Sequence, residues 1–280
     1  MTSVTATTDI NPRHPVGIPR RSRGAAILAL TRAESTLLIR NRTALFNSLL
    51  LPVLLVAFMY QTGALDRPEL NTGALLITTM AIFGLLFVTY YNLVTTYVAR
   101  REELVLKRMR TGEIGDFTIL AGSAVPTILV SLLQLAVVSI AVPFLTDLKA
   151  PTNLLLPVVA FVLGTVMFAL LAAASTAITR NSETAQITTL PVVIVGTALS
   201  GVFFPLSILP ETLAAVGRFL PATPVVELFN LGMSGTSRDG SQVSLSESFT
   251  EALVPLAILV VWLAIAGALA ARYFRWEPRR

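Results

Sequence analysis

Read for polarity alone, the chain alternates long stretches without a charged side chain with short ones that concentrate charge. The charge-free stretches are residues 43–65, 70–99, 117–146, 150–179, 184–210 and 252–271, with lengths of 23, 30, 30, 30, 27 and 20 residues. Each reaches the roughly 20 residues that a helix needs to cross about 30 Å of hydrocarbon. Soluble helices average about 11 to 12 residues and keep a polar face, so six stretches this long and apolar predict membrane spans. The pattern predicts an all-α, polytopic integral membrane protein with spans at about 43–65, 72–99, 117–145, 154–179, 185–204 and 252–271.

The intervening segments differ in character. Residues 1–23 hold Pro and Thr without apolar periodicity and are expected to form a disordered tail. In residues 24–42, Ile27, Leu30, Leu37 and Leu38 share one helical face while Arg32, Arg40 and Arg42 point elsewhere, which predicts an amphipathic helix on the membrane surface. Glu34 falls inside its apolar stripe and either pairs with a basic residue of a loop or snorkels to water. Residues 205–250 include Leu206 to Leu209 and Leu213 to Leu220, too apolar for a free loop and too short to span. Prolines 205, 210, 221 and 224 interrupt any continuous helix there. The segment is read either as short re-entrant helices between spans 5 and 6 or as a surface hairpin.

Composition agrees with lipid as the solvent: 54% of residues are hydrophobic and 13% charged, where soluble domains carry roughly 25% charged residues. The net charge of +5 is explained by topology rather than nucleic acid. With six spans both termini share a side, and that side holds seventeen of the 21 Lys and Arg; the other holds only Arg67, Lys149, Arg218 and Arg238. Positive residues stay inside, so both termini and the loop at 100–116 are expected in the cytoplasm of a cell-membrane protein. The pair Arg20-Arg21 does not make a twin-arginine signal, because the apolar stretch after it is cut short by Arg32. There is no cysteine, hence no disulfide framework or thiolate metal site.

The way such a chain is energised narrows its function. Ion-coupled carriers place ionisable residues inside their spans. None stands in the six stretches, and the only histidine, His14, lies in the tail. A phosphate-cradling G-x-x-x-x-G-K-[ST] loop is absent, since neither Lys107 nor Lys149 follows such glycines. No metal or catalytic constellation is present. The chain therefore cannot hydrolyse ATP by that route: either a separate cytoplasmic ATPase acts on it or it is not a pump, and no enzymatic activity or cofactor of its own is expected.

The loop between the second and third spans reads RREELVLKRMRTGEIGD. On a helix over residues 101–110, Val105, Leu106 and Met109 lie with Glu102, while Arg101, Glu103, Lys107, Arg108 and Arg110 cover the rest. From the charge pattern this is either a helix seated in another protein or a solvated linker that only enforces topology. The segment VARREELVLKRMRTGEIGDFTILAG resembles the corresponding loop of membrane subunits of type-2 ATP-binding-cassette (ABC-2) exporters. The later segment GVFFPLSILPETLAAVGRFLPATP, with Gly201, Phe203, Phe204, Pro205, Pro210, Pro221 and Pro224, is similar to that family's hallmark after the fifth span. The ending RYFRWEPRR is similar to members like the daunorubicin-resistance exporters of actinobacteria. Two positions depart: Thr111-Gly112 stands where the family often has Thr-Pro, and Ser123 where it has a basic residue.

The resemblance implies that residues 100–116 form a coupling helix docking on a cytoplasmic ABC ATPase present in two copies. It also implies that ATP and Mg bind that partner, that a second permease copy completes a dimer, and that residues 205–250 close the external end of the pathway. The cargo implied is an amphipathic small molecule, a drug, antibiotic or lipid-like compound; a polysaccharide or lipid-linked glycan, or an ATPase-independent channel or scaffold, is the alternative. Asn47, Phe83, Phe87, Tyr90, Tyr91 and Asn92 are the candidates to line the path, against a packing or aromatic-belt role. The small pairs Gly196/Ser200 and Gly267/Ala271 would let helices approach closely.

Overall fold

A computed structural model describes residues 56–63, 71–106, 115–203 and 205–276, with single positions at 31, 32, 36, 50, 53 and 54. The expected surface helix, Glu34, Asn47 and most of the first span fall outside the described residues, as do Lys107, Arg108, Arg110 and Phe204.

Helix α1, Thr72–Glu102, begins where the Asn71 side chain accepts the Ala74 N–H at 3.1 Å. The same side chain donates to the Asp147 carbonyl at 2.8 Å, fixing the helix start against a neighbouring loop. Its composition is apolar all round, which is the signature of a buried helix. Of its most hydrophobic 18 residues 89% are buried, against 28% for α2 (Asp116–Leu145), 50% for α3 (Leu155–Ser175) and 22% for the last helix, Leu253–Tyr273. α1 is thus the axis of the described residues; α2 and α3 pack on it with their outer faces bare, and the last helix packs on α3.

Midway, Gly84–Tyr91 winds as a π-helix between α-helical halves Thr72–Phe83 and Asn92–Glu102. Such stretches are rare and often mark functional sites. It starts at a close approach of α2, where a Cβ on Gly84 would lie 2.6 Å from Ser131 Oγ.

The remaining elements are α4 (Ser182–Ala198), a 3-10 turn at Leu206–Ile208, α5 (Glu211–Arg218), α6 (Thr223–Ser234), α7 (Leu245–Glu251) and α8 (Leu253–Tyr273). Among the described residues there is no strand, only an isolated bridge between Thr236 and Gln242. α4 ends at Ala198 rather than running on to 204, because Gly201 adopts φ +88, a left-handed conformation that suits glycine. α5 and α6 meet at 84°. Pro221 and Pro224 account for the corner, since neither can donate to a continuing helical ladder.

α6 is drawn into the core by Val225, Val226, Leu228 and Phe229 and touches α3 at Gly232. It closes on Gly235 at φ +63. The short α7 is closed by a capping box between Ser244 and Glu247. In this box hydrogen bonds from the Ser244 N–H and hydroxyl hold the Glu247 carboxyl below its usual range. α8 then packs along α3, its Trp262 indole donating to the Phe219 carbonyl at 2.7 Å.

By length and composition four of the described helices can cross a membrane, or five if the bent pair α5–α6 is one span. The chain is a multi-pass, all-helical membrane protein.

Candidate functional site

One end of the bundle holds Arg101, Glu102, Glu103 and Leu106, the described part of the segment read from the sequence as the coupling helix. Charge patterning placed residues 100–102 in the loop; instead they complete the last turn of α1, which runs to Glu102. The reason lies in the turn after α3. There the N–H groups of Thr176, Ala177 and Ile178 bond back into α3. The guanidinium of Arg101, 0% exposed, donates outward to the carbonyls of Thr176 (2.8 Å), Thr179 (2.6 Å) and Arg180 (3.1 Å). A buried cation is tolerated only with such partners, and the negative end of a helix supplies them.

Beside it, the Glu102 carboxylate accepts from the backbone N–H (3.1 Å) and hydroxyl (2.8 Å) of Ser182 at the start of α4. Arg100 reaches Ser123 on α2, whose hydroxyl also donates to the Ile119 carbonyl at 3.0 Å. The serine that departs from the family pattern therefore has its own basic partner within the chain. The helix breaks at Glu103 and Leu104, the latter in the left-handed region at φ +60, and resumes at Val105. Glu103 and Leu104 are exposed, whereas Leu106 is fully buried within the chain.

At mid-depth the candidate path residues divide. Phe83 and Tyr90 face the core, 4% and 1% exposed; the Tyr90 hydroxyl meets Ser175 Oγ at 2.9 Å and its ring stands edge-on to Phe168. Phe87 is 36% exposed, and Tyr91 and Asn92 are half-buried along the same open side as Thr95. The Phe83 ring touches both Phe87 at 5.2 Å and Phe203 at 5.7 Å, linking the π-helical stretch to the segment after α4.

A cavity of about 300 Å³ lies nearby, lined by Leu86, Tyr90, Ser175, Val195, Pro221 and Trp262. The small residue Gly196 faces α1, where a Cβ would lie 3.2 Å from Leu86, while Gly267 has Leu170 no nearer than 3.9 Å. Ser175 and Trp262 carried no signal in the sequence beyond lying in apolar stretches.

At the opposite end, Gly201 turns the chain, Pro205 and Pro210 precede the 3-10 turn and α5, and Pro221 and Pro224 flank the start of α6. α5 lies so near the end of α4 that a Cβ on Gly217 would sit 2.7 Å from the Leu199 carbonyl. Arg238 in the following loop grips Glu227 with two hydrogen bonds of 2.8 and 3.0 Å. In the same loop Asp239 is held down to about 2 by hydrogen bonds from Ser237 and Ser241. Among the described residues no group of His, Cys, Asp or Glu is placed to hold a metal ion.

The buried axis, with its π-helical winding, thus joins the Arg101 end to the rest of the bundle. Compared with known families, residues 56–272 match one described as "ABC-2 family transporter protein". No curated protein matches the chain.

Proposed function

We propose that this chain, which belongs to the ABC-2 family of transporter proteins, is the permease of an ATP-driven exporter for an amphipathic small molecule. The family makes it a membrane component whose ATPase is a separate subunit. In our reading two copies of the chain form the permease, two ATPase subunits bind ATP and Mg in the cytoplasm, and six spans place both termini on that side. Closure of the ATPases pushes the segment after Glu102, and the helices respond by rigid-body or shear movement that exchanges inward for outward access.

The observation that carries this reading is the Arg101 end. A buried axis stops at an exposed break at Glu103 and Leu104, and its last turn is anchored to the α3–α4 turn and to α2. Phe87, Tyr91 and Asn92, on the open side of that axis, are assigned to the translocation path, and the Gly201 to Pro224 region to its external gate. The apolar character of the spans supports a cargo that is itself largely apolar.

Co-purification tests the docking. The partner ATPase, co-expressed with this chain, is expected to be captured by the wild type and lost on charge reversal at Glu103 and Lys107, with membrane insertion unchanged. Capture that persists in the double variant refutes the docking site. ATP hydrolysis by the reconstituted complex is expected to rise with amphipathic compounds; indifference to a chemically diverse set refutes the cargo class.

A further inference from the structure

Two adjacent side chains of opposite charge close two helix ends that lie 75 to 80 residues further along the chain. Arg101 meets the carbonyl end of α3, where the macrodipole is negative, and Glu102 meets the amide end of α4, where it is positive. Both contacts are charge-assisted, and the guanidinium fork can take several carbonyls at once where an ammonium is a single point. The turn between the two helices is short and internally tied: Asn181 accepts the Thr184 N–H at 2.8 Å, and the Thr179 hydroxyl lies 2.9 Å from that of Thr188. It has little freedom to move by itself. From it α4 runs 17 residues to the opposite end, passing Leu86 at Gly196 and finishing against α5.

We infer that Arg101 is a positioning residue that makes the end of α1 and the α3–α4 turn one rigid body, so that displacement of the segment after Glu102 is delivered to α4 and thence to the Gly201 turn. This rests on the function proposed above for the direction of the push, but the rigid body itself is a property of the chain. Arg101 then acts inside the permease rather than against the ATPase: the ATPase touches the exposed break, and Arg101 and Glu102 share the motion between two helices instead of one.

The absence of cysteine makes the test direct. Ala99→Cys, half-buried in the last turns of α1 and clear of the exposed break, and Ile178→Cys, 65% exposed, carry nitroxide labels on the two sides of the joint. Their separation is measured by double electron–electron resonance in lipid nanodiscs, on the complex with its ATPase, without nucleotide and with ATP trapped. The expected result is one narrow distance distribution shifting by less than about 2 Å between states, the scale of small helix adjustments. A change of about 5 Å or more, a full helix turn, overturns the rigid body with Arg101 in place. R101A is expected to broaden the distribution and make it state-dependent, with R101K, which keeps the charge but not the fork, in between. A distribution as narrow in R101A as in the parent overturns the role of Arg101. If the wild-type chain captures no ATPase, the functional proposal fails, and the same measurement on the chain alone, with and without R101A, still decides the joint.

Discussion

Gly232 stands where α6 crosses the start of α3, and replacing it by alanine puts a single methyl group against atoms that have nowhere to go. The new Cβ would lie 2.3 Å from Pro157 Cδ, 2.8 Å from its Cγ and 2.6 Å from the Asn153 carbonyl oxygen. A proline ring and a backbone carbonyl cannot rotate aside, so the two helices must separate. Overpacking of this kind costs about 1–3 kcal/mol. Separation also strains the hydrogen bond from the Asn153 N–H to the Gly232 carbonyl, 2.8 Å long, which contributes about 1 kcal/mol.

Against this, alanine is the better helix former by about 1 kcal/mol. The net expectation for G232A is a loss of about 1–3 kcal/mol. G267A is the matched control: its Cβ meets nothing closer than Leu170 at 3.9 Å, so only the propensity gain of about 1 kcal/mol remains. Unfolding of the purified chain in mixed micelles, driven by rising dodecyl sulfate and followed by helical circular dichroism, compares the two. If G232A resists unfolding as well as G267A does, the close approach of α6 to α3 is wrong.

Two further outcomes are expected. F87A, on the open side of α1, is expected to alter the transport profile across compounds with little loss of stability, whereas F83A, in the core, is expected to lose about 3 kcal/mol or more; equal stability of the two variants in the micelle titration would contradict the division of this face. For Asp239 the carboxyl value is lowered in the folded loop to about 2 from 3.8, so its ordering effect is complete above the unfolded value and is lost as pH falls through the folded one. Protection of the Ser241 amide, its exchange taken relative to the intrinsic rate at each pH, is expected to fall on acidification through that window in the wild type and to be already low in D239N; protection that is unchanged in both would dispose of the Asp239 network.

What the polarity pattern made legible is what length and hydropathy control. Helices α1, α2, α3 and α8 are each built on a charge-free stretch, with charged residues only in their terminal turns, because removing charge is the one thing a lipid-facing or lipid-buried helix requires of its sequence. The pattern failed where a single residue or a distant partner decides. Nothing in the apolar run 184–210 shows that α4 stops at Ala198; that depends on the left-handed backbone at Gly201. Arg101 read as one of the charges of a coupling helix or a solvated linker, and only the folded chain brings the carbonyls of Thr176, Thr179 and Arg180 to it. Phe83 and Phe87, four apart, would share a face of an ordinary helix. Their separate environments arise across the start of the π winding, which has no residue signature beyond the Gly84 that Ser131 approaches.

The enclosure of α1 also bears on how the protein is made. Synthesis proceeds from the N-terminus, so this helix enters the bilayer before any of α2, α3, α4 or α6 exists to sheathe it, and it waits among acyl chains. Two of its hydroxyls are satisfied within the same helix, Thr78 bonding to the Ala74 carbonyl at 2.9 Å and Thr95 to that of Tyr91 at 3.1 Å, whereas those of Thr79 and Thr89 have no hydrogen-bond partner among the described residues. Assembly is then the exchange of lipid neighbours for protein ones around a preformed rod, governed by packing rather than by escape from water.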